Sequence, residues 1–314
     1  MYLSSVSVVF VYICILLAVA FFTLLERKGL SYIQIRKGPN KVGFCGLPQP
    51  LADAAKLLTK EIAKPTMANF LPYYSAPIFS FILALLLWQL YPSVNGMEFY
   101  KWGVLFFLCV SALNVYGTLL AGWASNSKYA FLGALRAIAQ TISYEISMAL
   151  ILLYPLFLGC SFSFFEIQDS QKFIWFILLF FPIAYMWFVT CLAETNRAPF
   201  DFAEGESELV SGFNIEYGSA GFALIFLAEY ANILVMSLFS SLLFLGGSYM
   251  FFFTQSDFFL VVKTFLVSFL FIWLRASFPR FRYDLLMQLT WKVFLPSSLG
   301  FLIILVPVIF LLFL

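Results

Sequence analysis

Two acids in this sequence stand where lipid should be. Glu145 shares a long apolar run with Arg136, and Glu229 lies inside another. An ionisable side chain at bilayer depth is costly unless paired or hydrated, so each of these asks for a role. At 100° per residue, Arg136, Gln140, Ser143 and Ser147 fall within about 60° of one another, while Glu145 lies near the opposite side beside Thr141. A helix polar on both sides cannot face lipid there, so this one is expected inside a bundle. Glu229 comes about ten residues into its run, roughly 15 Å deep. These carboxylates read as stations on a water-accessible proton or ion path. The plain alternative is burial only to pair with Arg or hydroxyl groups.

The segment AETNRAPFDFAEGESELVSGFNIEY, residues 193–217, holds six acids (Glu194, Asp201, Glu204, Glu206, Glu208 and Glu216) against the single Arg197. If 201–208 is helical, Asp201, Glu204 and Glu208 share a face, and neighbouring like charges raise one another's affinity for protons. Such a cluster could hold or pass protons near neutral pH. A solvated acidic loop is the plain alternative. The interleaved Phe200, Phe202, Val210 and Phe213 argue against full solvation. Two further segments are basic. ERKGLSYIQIRKGPNKVG turns at Gly38-Pro39-Asn40, and RASFPRFRYDLLMQLTWK alternates Arg275, Arg280 and Arg282 with aromatics. The first, with the helix that follows it, could lie on anionic lipid heads or dock a soluble partner. The second could anchor at the membrane rim or bind a partner or the polar part of an amphiphile.

Absences narrow the chemistry. The chain has no histidine, which removes imidazole metal ligands and imidazole general bases. Its five cysteines (Cys14, Cys45, Cys109, Cys160 and Cys191) stand far apart, fitting neither an iron–sulfur site nor a disulfide framework. No metal site is expected, and any electron-transfer cofactor must belong to another chain. No concentrated basic stripe suggests nucleic acid.

The elements that must position these residues follow from hydropathy. The 314 residues are 63% hydrophobic and only 11% charged, with a mean hydropathy of +0.95. A soluble domain is about one-quarter charged, and a spanning helix needs roughly 20 apolar residues. Eight such stretches run near residues 3–25, 71–91, 102–121, 130–158, 173–193, 219–245, 258–274 and 294–314. The fold class is therefore an all-α, polytopic membrane bundle of eight transmembrane helices in one continuous domain spanning 1–314. Tyr73, Tyr74, Trp102 and Trp175 lie at ends of the runs, as interfacial anchors do. The first run has neither a cleavage-site pattern nor a basic leading region and is expected to be a retained span. Between the first two spans, PQPLADAAKLLTKEIAKP predicts an amphipathic helix. Leu51, Ala54, Ala55, Leu58 and Ile62 share one side, and Lys56, Lys60 and Lys64 another. Fourteen Lys and Arg fall in the loops 26–70, 122–129, 194–218 and 275–293, whereas the opposite loops offer Lys101 and Lys172. That asymmetry puts the four charged loops inside and both termini outside.

Five segments carry a family resemblance: LLERKGLSYIQIRKGPNKVG, LRAIAQTISYEIS, AETNRAPFDFAEGESELVSGFNIEY, FALIFLAEY and FPRFRYDLLM. In order, from about Leu24 to Lys292, they resemble the chain 1 family of mitochondrial NADH:ubiquinone oxidoreductase, respiratory complex I. The resemblance implies eight transmembrane helices in the mitochondrial inner membrane, at the junction of the membrane and peripheral arms. It implies that matrix loops, with peripheral-arm quinone-site subunits, form the access chamber for ubiquinone as substrate. This chain would bind no cofactor, with FMN and iron–sulfur clusters in other subunits, and it would contact neighbouring membrane-arm subunits and lipids. By the same resemblance Glu145, Glu194, Asp201, Glu204, Glu206, Glu208 and Glu229, with Arg136, Arg197 and Tyr144, form a polar path from quinone chamber to proton channels. Arg27, Arg36, Asp53, Arg275 and Arg280 match positions near the quinone entrance or the interface. No complete catalytic site is expected on this chain alone. The competing classes are a stand-alone proton- or cation-coupled transporter, weakened by the lack of an evident internal repeat, and a purely structural membrane anchor.

Overall fold

The computed structural model describes residues 2–62, 64–92, 100–203, 205, 212–250 and 254–313. It is helical almost throughout. The long helices are α1 (Tyr2–Ile33), α3 (Phe70–Leu87), α4 (Gly103–Ala124), α5 (Lys128–Gly159), α9 (Ser219–Phe244), α10 (Asp257–Ser277) and a final pair. That pair, α11 (Tyr283–Leu289) and α12 (Leu295–Phe313), is joined through a π-helical turn at Thr290–Phe294. Counting the final pair as one, seven helices among the described residues are long and apolar enough to cross a membrane.

The fifth predicted stretch departs from expectation. Residues 173–193 do not form one long helix. They divide into a single turn, α7 (Phe176–Leu179), and α8 (Phe181–Glu194), with Phe180 out of helical geometry between them at φ −134° and ψ 59°. Pro182 is the physical reason. It has no backbone N–H to donate to the Leu178 carbonyl, and its ring crowds that carbonyl. In the first turn of a helix no such bond is needed, so a helix starts at this point more readily than it continues through it.

α2 (Gln49–Thr59) is the predicted amphipathic helix. Leu51 and Leu58 are exposed on it, so its apolar side does not turn into the bundle. On the opposite face, a short helix α6 (Phe164–Ser170) and a two-stranded hairpin pairing Tyr249 with Gln255 were not foreseen. They explain a charge inside the seventh apolar stretch. The Lys263 amine donates to the carbonyls of Leu245, Gly247 and Tyr249 at 2.6, 2.9 and 2.5 Å, capping the C-terminal end of α9 where its carbonyls lack partners.

α9 packs among α1, α3 and α10, while α5 packs among α4, α8 and α12. Between them, Phe107, Trp187, Phe239, Ile151 and Leu242 form a dry core. Small residues set how close the helices come. A Cβ on Gly122 of α4 would sit 2.2 Å from that of Ala134 on α5, and one on Gly133 would sit 2.9 Å from the backbone of Gly212. This second approach seats the end of the acidic segment directly on α5.

Candidate functional site

The segment after α8 is held at many points. Gln140, fully buried on α5, donates through Nε2 to the carbonyls of Ala193 and Phe200, both at 2.9 Å. The Phe281 amide donates to the Pro199 carbonyl at 3.0 Å, and Arg280 pairs with Asp201 at 3.2 Å. At the far end Tyr73 donates to the Glu216 carbonyl at 2.7 Å and stacks flat on Tyr217, with centroids 4.5 Å apart. Burial, with neighbouring Tyr73, pushes the Tyr217 hydroxyl up from its ordinary value, which keeps it a neutral donor to the Ala121 carbonyl. The described stretches that begin and end the segment, residues 193–203 and 212–217, are thus held against α3, α4 and α5 by their own backbone and side-chain bonds.

These stretches close one side of a cavity of about 40 Å³. Glu194, Thr195 and Asn196 line it from the loop, Glu229, Asn232 and Ala228 from α9, Asn114 and Thr118 from α4, and Ser80 from α3. Glu194 Oε2, Asn196 Oδ1 and Asn232 Oδ1 are buried with no hydrogen-bond partner among the described residues. The same is true of Glu145 Oε1 and the Tyr144 hydroxyl on α5. Glu145 is within electrostatic reach of Glu194. Buried oxygens of this kind require water or a shared proton, and the volume admits roughly two or three water molecules. Such an arrangement can relay protons between carboxyl groups.

A second cluster adjoins it. Glu26, toward the C-terminal end of α1, is buried and accepts from Arg197 at 3.4 Å, from Arg275, and from the Tyr230 hydroxyl at 2.5 Å. The Arg197 guanidinium lies 4.3 Å over the Tyr230 ring. Burial opposes its charge. Glu26 first, then Tyr230 and Glu229, more than offset that penalty, so Arg197 holds its proton more firmly than a free arginine.

The expected site residues thus separate into groups. Glu194 and Glu229 line the cavity, with Glu145 within electrostatic reach of Glu194 and Arg197 within reach of Glu229. Asp201 and Arg280 pair beside it, and Tyr144 packs near Phe200. Arg136 is half-buried on α5, near Tyr283. Arg275 joins Glu26. Arg27 pairs with Asp53 at 2.5 Å, tying α1 to α2 on the exposed rim, and Arg36 is exposed beyond it. Glu204, Glu206 and Glu208 lie outside the described residues. Glu26, Tyr230, Asn196 and Asn232 are the residues that sequence reasoning passed over. Glu26 begins the basic run, where an acid reads as loop charge. Its signal was the continuation of helical spacing past Leu25, which α1 follows to Ile33.

Comparison with known proteins matches the NADH dehydrogenase family model over residues 6–306. The chain is 57% identical to NADH-ubiquinone oxidoreductase chain 1 of Heterololigo bleekeri over 300 residues, which is 96% of this chain and 95% of that one. It is 56% identical to the chain of the same name from Aedes aegypti over 303 residues, 96% of this chain and 94% of that one. To the one from Metridium senile it is 52% identical over 309 residues, 97% and 92% of the two chains.

Proposed function

This chain belongs to the NADH dehydrogenase family, among relatives that are chain 1 of NADH-ubiquinone oxidoreductase, and on that premise we propose that it is a core membrane subunit of respiratory complex I. In this reading it forms the ubiquinone access chamber together with peripheral-arm subunits and links quinone reduction to proton pumping in neighbouring membrane-arm subunits. α7 and α8 together supply an eighth crossing of the mitochondrial inner membrane, which leaves both termini on the intermembrane-space side. FMN and the iron–sulfur clusters sit in other subunits.

The observation that carries the reading is the polar cavity. Glu194, Thr195 and Asn196 line it on one side and Glu229 and Asn232 of α9 on another, and three of those side chains carry buried oxygens without a partner among the described residues. Ubiquinone has a long apolar tail and a small polar head, so it requires an apolar passage with charge at the inner end. The exposed Arg27–Asp53 pair, Arg36, and the Arg280–Asp201 pair supply such charge. Reduction of the head takes up protons and changes the local field. The loop acids feel that change, and Glu194 passes it to Glu145 and, through the hydrated cavity, to Glu229. Arg197 stands within electrostatic reach of Glu229 and so links the ion cluster to the cavity. By the family resemblance Glu204, Glu206 and Glu208, which lie outside the described residues, belong to the same path.

The test has two parts. Peptides of this chain should co-migrate, after gentle solubilisation, with NADH-oxidising activity that quinone-site inhibitors block. In that assembly Glu194→Gln should lower quinone-dependent turnover and proton pumping together by at least about tenfold, as loss of a positioned proton carrier does. Migration as a small particle that transports protons or cations alone would replace this reading with the transporter. Full coupled turnover after neutralising Glu145, Glu194 and Glu229 would leave only a structural anchor.

A further inference from the structure

Glu26 is not among the path residues, yet three segments distant in sequence converge on it: the loop after α8 through Arg197, α9 through Tyr230, and the end of α10 through Arg275. Its side chain is 7% exposed. Two guanidinium groups on one carboxylate are one cation more than neutrality needs. Arg275, in the closer contact and 39% exposed, can neutralise Glu26 and keep part of its hydration. Arg197 is held differently. Its side chain is 12% exposed, its contact with Glu26 is the longer one, and its Nε and Nη2 meet no well-aligned acceptor among the described residues. Its other near neighbours are the Tyr230 ring and, within electrostatic reach, Glu229, which precedes Tyr230 on α9 and lines the cavity. Arg197 therefore stands between two carboxylates, one belonging to the ion cluster and one to the cavity.

From this geometry we propose that Glu26 is a positioning residue for the coupled reaction: it holds Arg197 over the Tyr230 ring, and so sets how far the guanidinium leans toward Glu229. The inference rests on the proton-path reading and adds its control element. Without the Glu26 charge, two guanidinium groups remain close together with no shared anion. Breaking a buried pair on one side leaves the other charge uncompensated, and Glu229 is the neighbouring anion that can receive Arg197. A carboxylate locked to a guanidinium stays ionised and leaves proton exchange, so removing Glu26 should mimic removing Glu229. Arg275 remains at the end of α10, where it can find water.

A double-mutant cycle on the assembled complex tests this. Glu26→Gln, Arg197→Gln and the double variant are compared for NADH:ubiquinone turnover and for protons moved per NADH. Both are normalised to the amount of assembled complex resolved by native electrophoresis. The expected result is that each single variant loses turnover and the double is no worse than Arg197→Gln alone, departing from the product of the single effects by about tenfold, as contacting charges do. Glu26→Asp, which keeps the charge, should recover most of the turnover when Arg197 is present and gain nothing when it is Gln. Single losses that multiply in the double variant would overturn the proposal, as would Glu26→Asp faring no better than Glu26→Gln, or unchanged turnover in Glu26→Gln. If Glu26→Gln does not assemble, Glu26→Asp with and without Arg197→Lys decides by the same rule. Intact pumping in Glu194→Gln, alongside lost pumping in Glu229→Gln and a non-multiplicative cycle, would remove Glu194 from the proton path while leaving the positioning role standing. Intact pumping in Glu229→Gln would overturn both.

Discussion

At the scale of single residues, Gln140 does more than its neutral side chain suggests. Its Nε2 group reaches two backbone carbonyls on either side of the Thr195–Pro199 turn, Ala193 and Phe200, and so fixes both ends of the stretch that carries Glu194 and Arg197. A buried carbonyl that loses its donor costs about 1–3 kcal/mol. Gln140→Leu, close in volume but unable to donate, is therefore expected to lower the thermal inactivation temperature of the complex and to raise hydrogen exchange in residues 194–200. An unchanged inactivation temperature would mean that water replaces the amide there. In the sequence Gln140 stood on the polar face of the fourth stretch with Arg136 and Ser143, so its burial was legible. Its partners were not, because they are backbone atoms more than 50 residues away, a separation that no local pattern encodes.

At the scale of elements, α3, α4 and α9 line the cavity, and α5 packs against α4 and the turn that helps close it. Gly122 lets α4 lie directly on Ala134 of α5, and Gly133 lets the turn at Gly212–Asn214 lie on the other side of the same helix. In a membrane such small-residue contacts do much of the work of holding helices together, since lipid offers no hydrophobic incentive for association. Gly122→Val should open the α4–α5 seam at a cost of about 1–3 kcal/mol, read as reduced assembled complex and a lower inactivation temperature. Full assembly with normal turnover would show that the seam has slack. Element lengths were largely legible, since apolar runs of about 20 residues specify spans. The break at Phe180 lay behind a visible signal, Pro182, that run length alone overrides. α6 and the Tyr249–Gln255 hairpin rest on side chains such as Gln168, Gln171 and Lys263 that bridge distant loops.

At the scale of the whole molecule, the distribution of charge orients the chain. The loops bearing most of the Lys and Arg share one side with the cavity mouth and the ion clusters, and the Lys263 cap, α6 and the hairpin lie at the other end. Cys160, exposed in the turn after α5, reports on that outer side. A membrane-impermeant maleimide should label it in mitoplasts and leave it unlabelled in inside-out submitochondrial particles. The reverse pattern would invert the topology and move the cavity mouth to the wrong side for quinone coupling.

The sequence by itself determined that this chain lives in a membrane, where most of its spans lie, that its basic residues gather in alternate loops and which family its motifs resemble. Each of these depends on composition along the chain, on run length, on charge count, or on contiguous motifs. Tertiary structure alone decided which buried charges meet. Arg27 and Glu26 are adjacent, yet one pairs with Asp53 at the exposed rim and the other with Arg197 and Arg275, 171 and 249 residues away. About 100° of helix separates their side chains, and what lies in each direction is set by how α1 packs against α2, α9 and α10. A buried ion pair forms only where helix packing brings complementary charges together away from water.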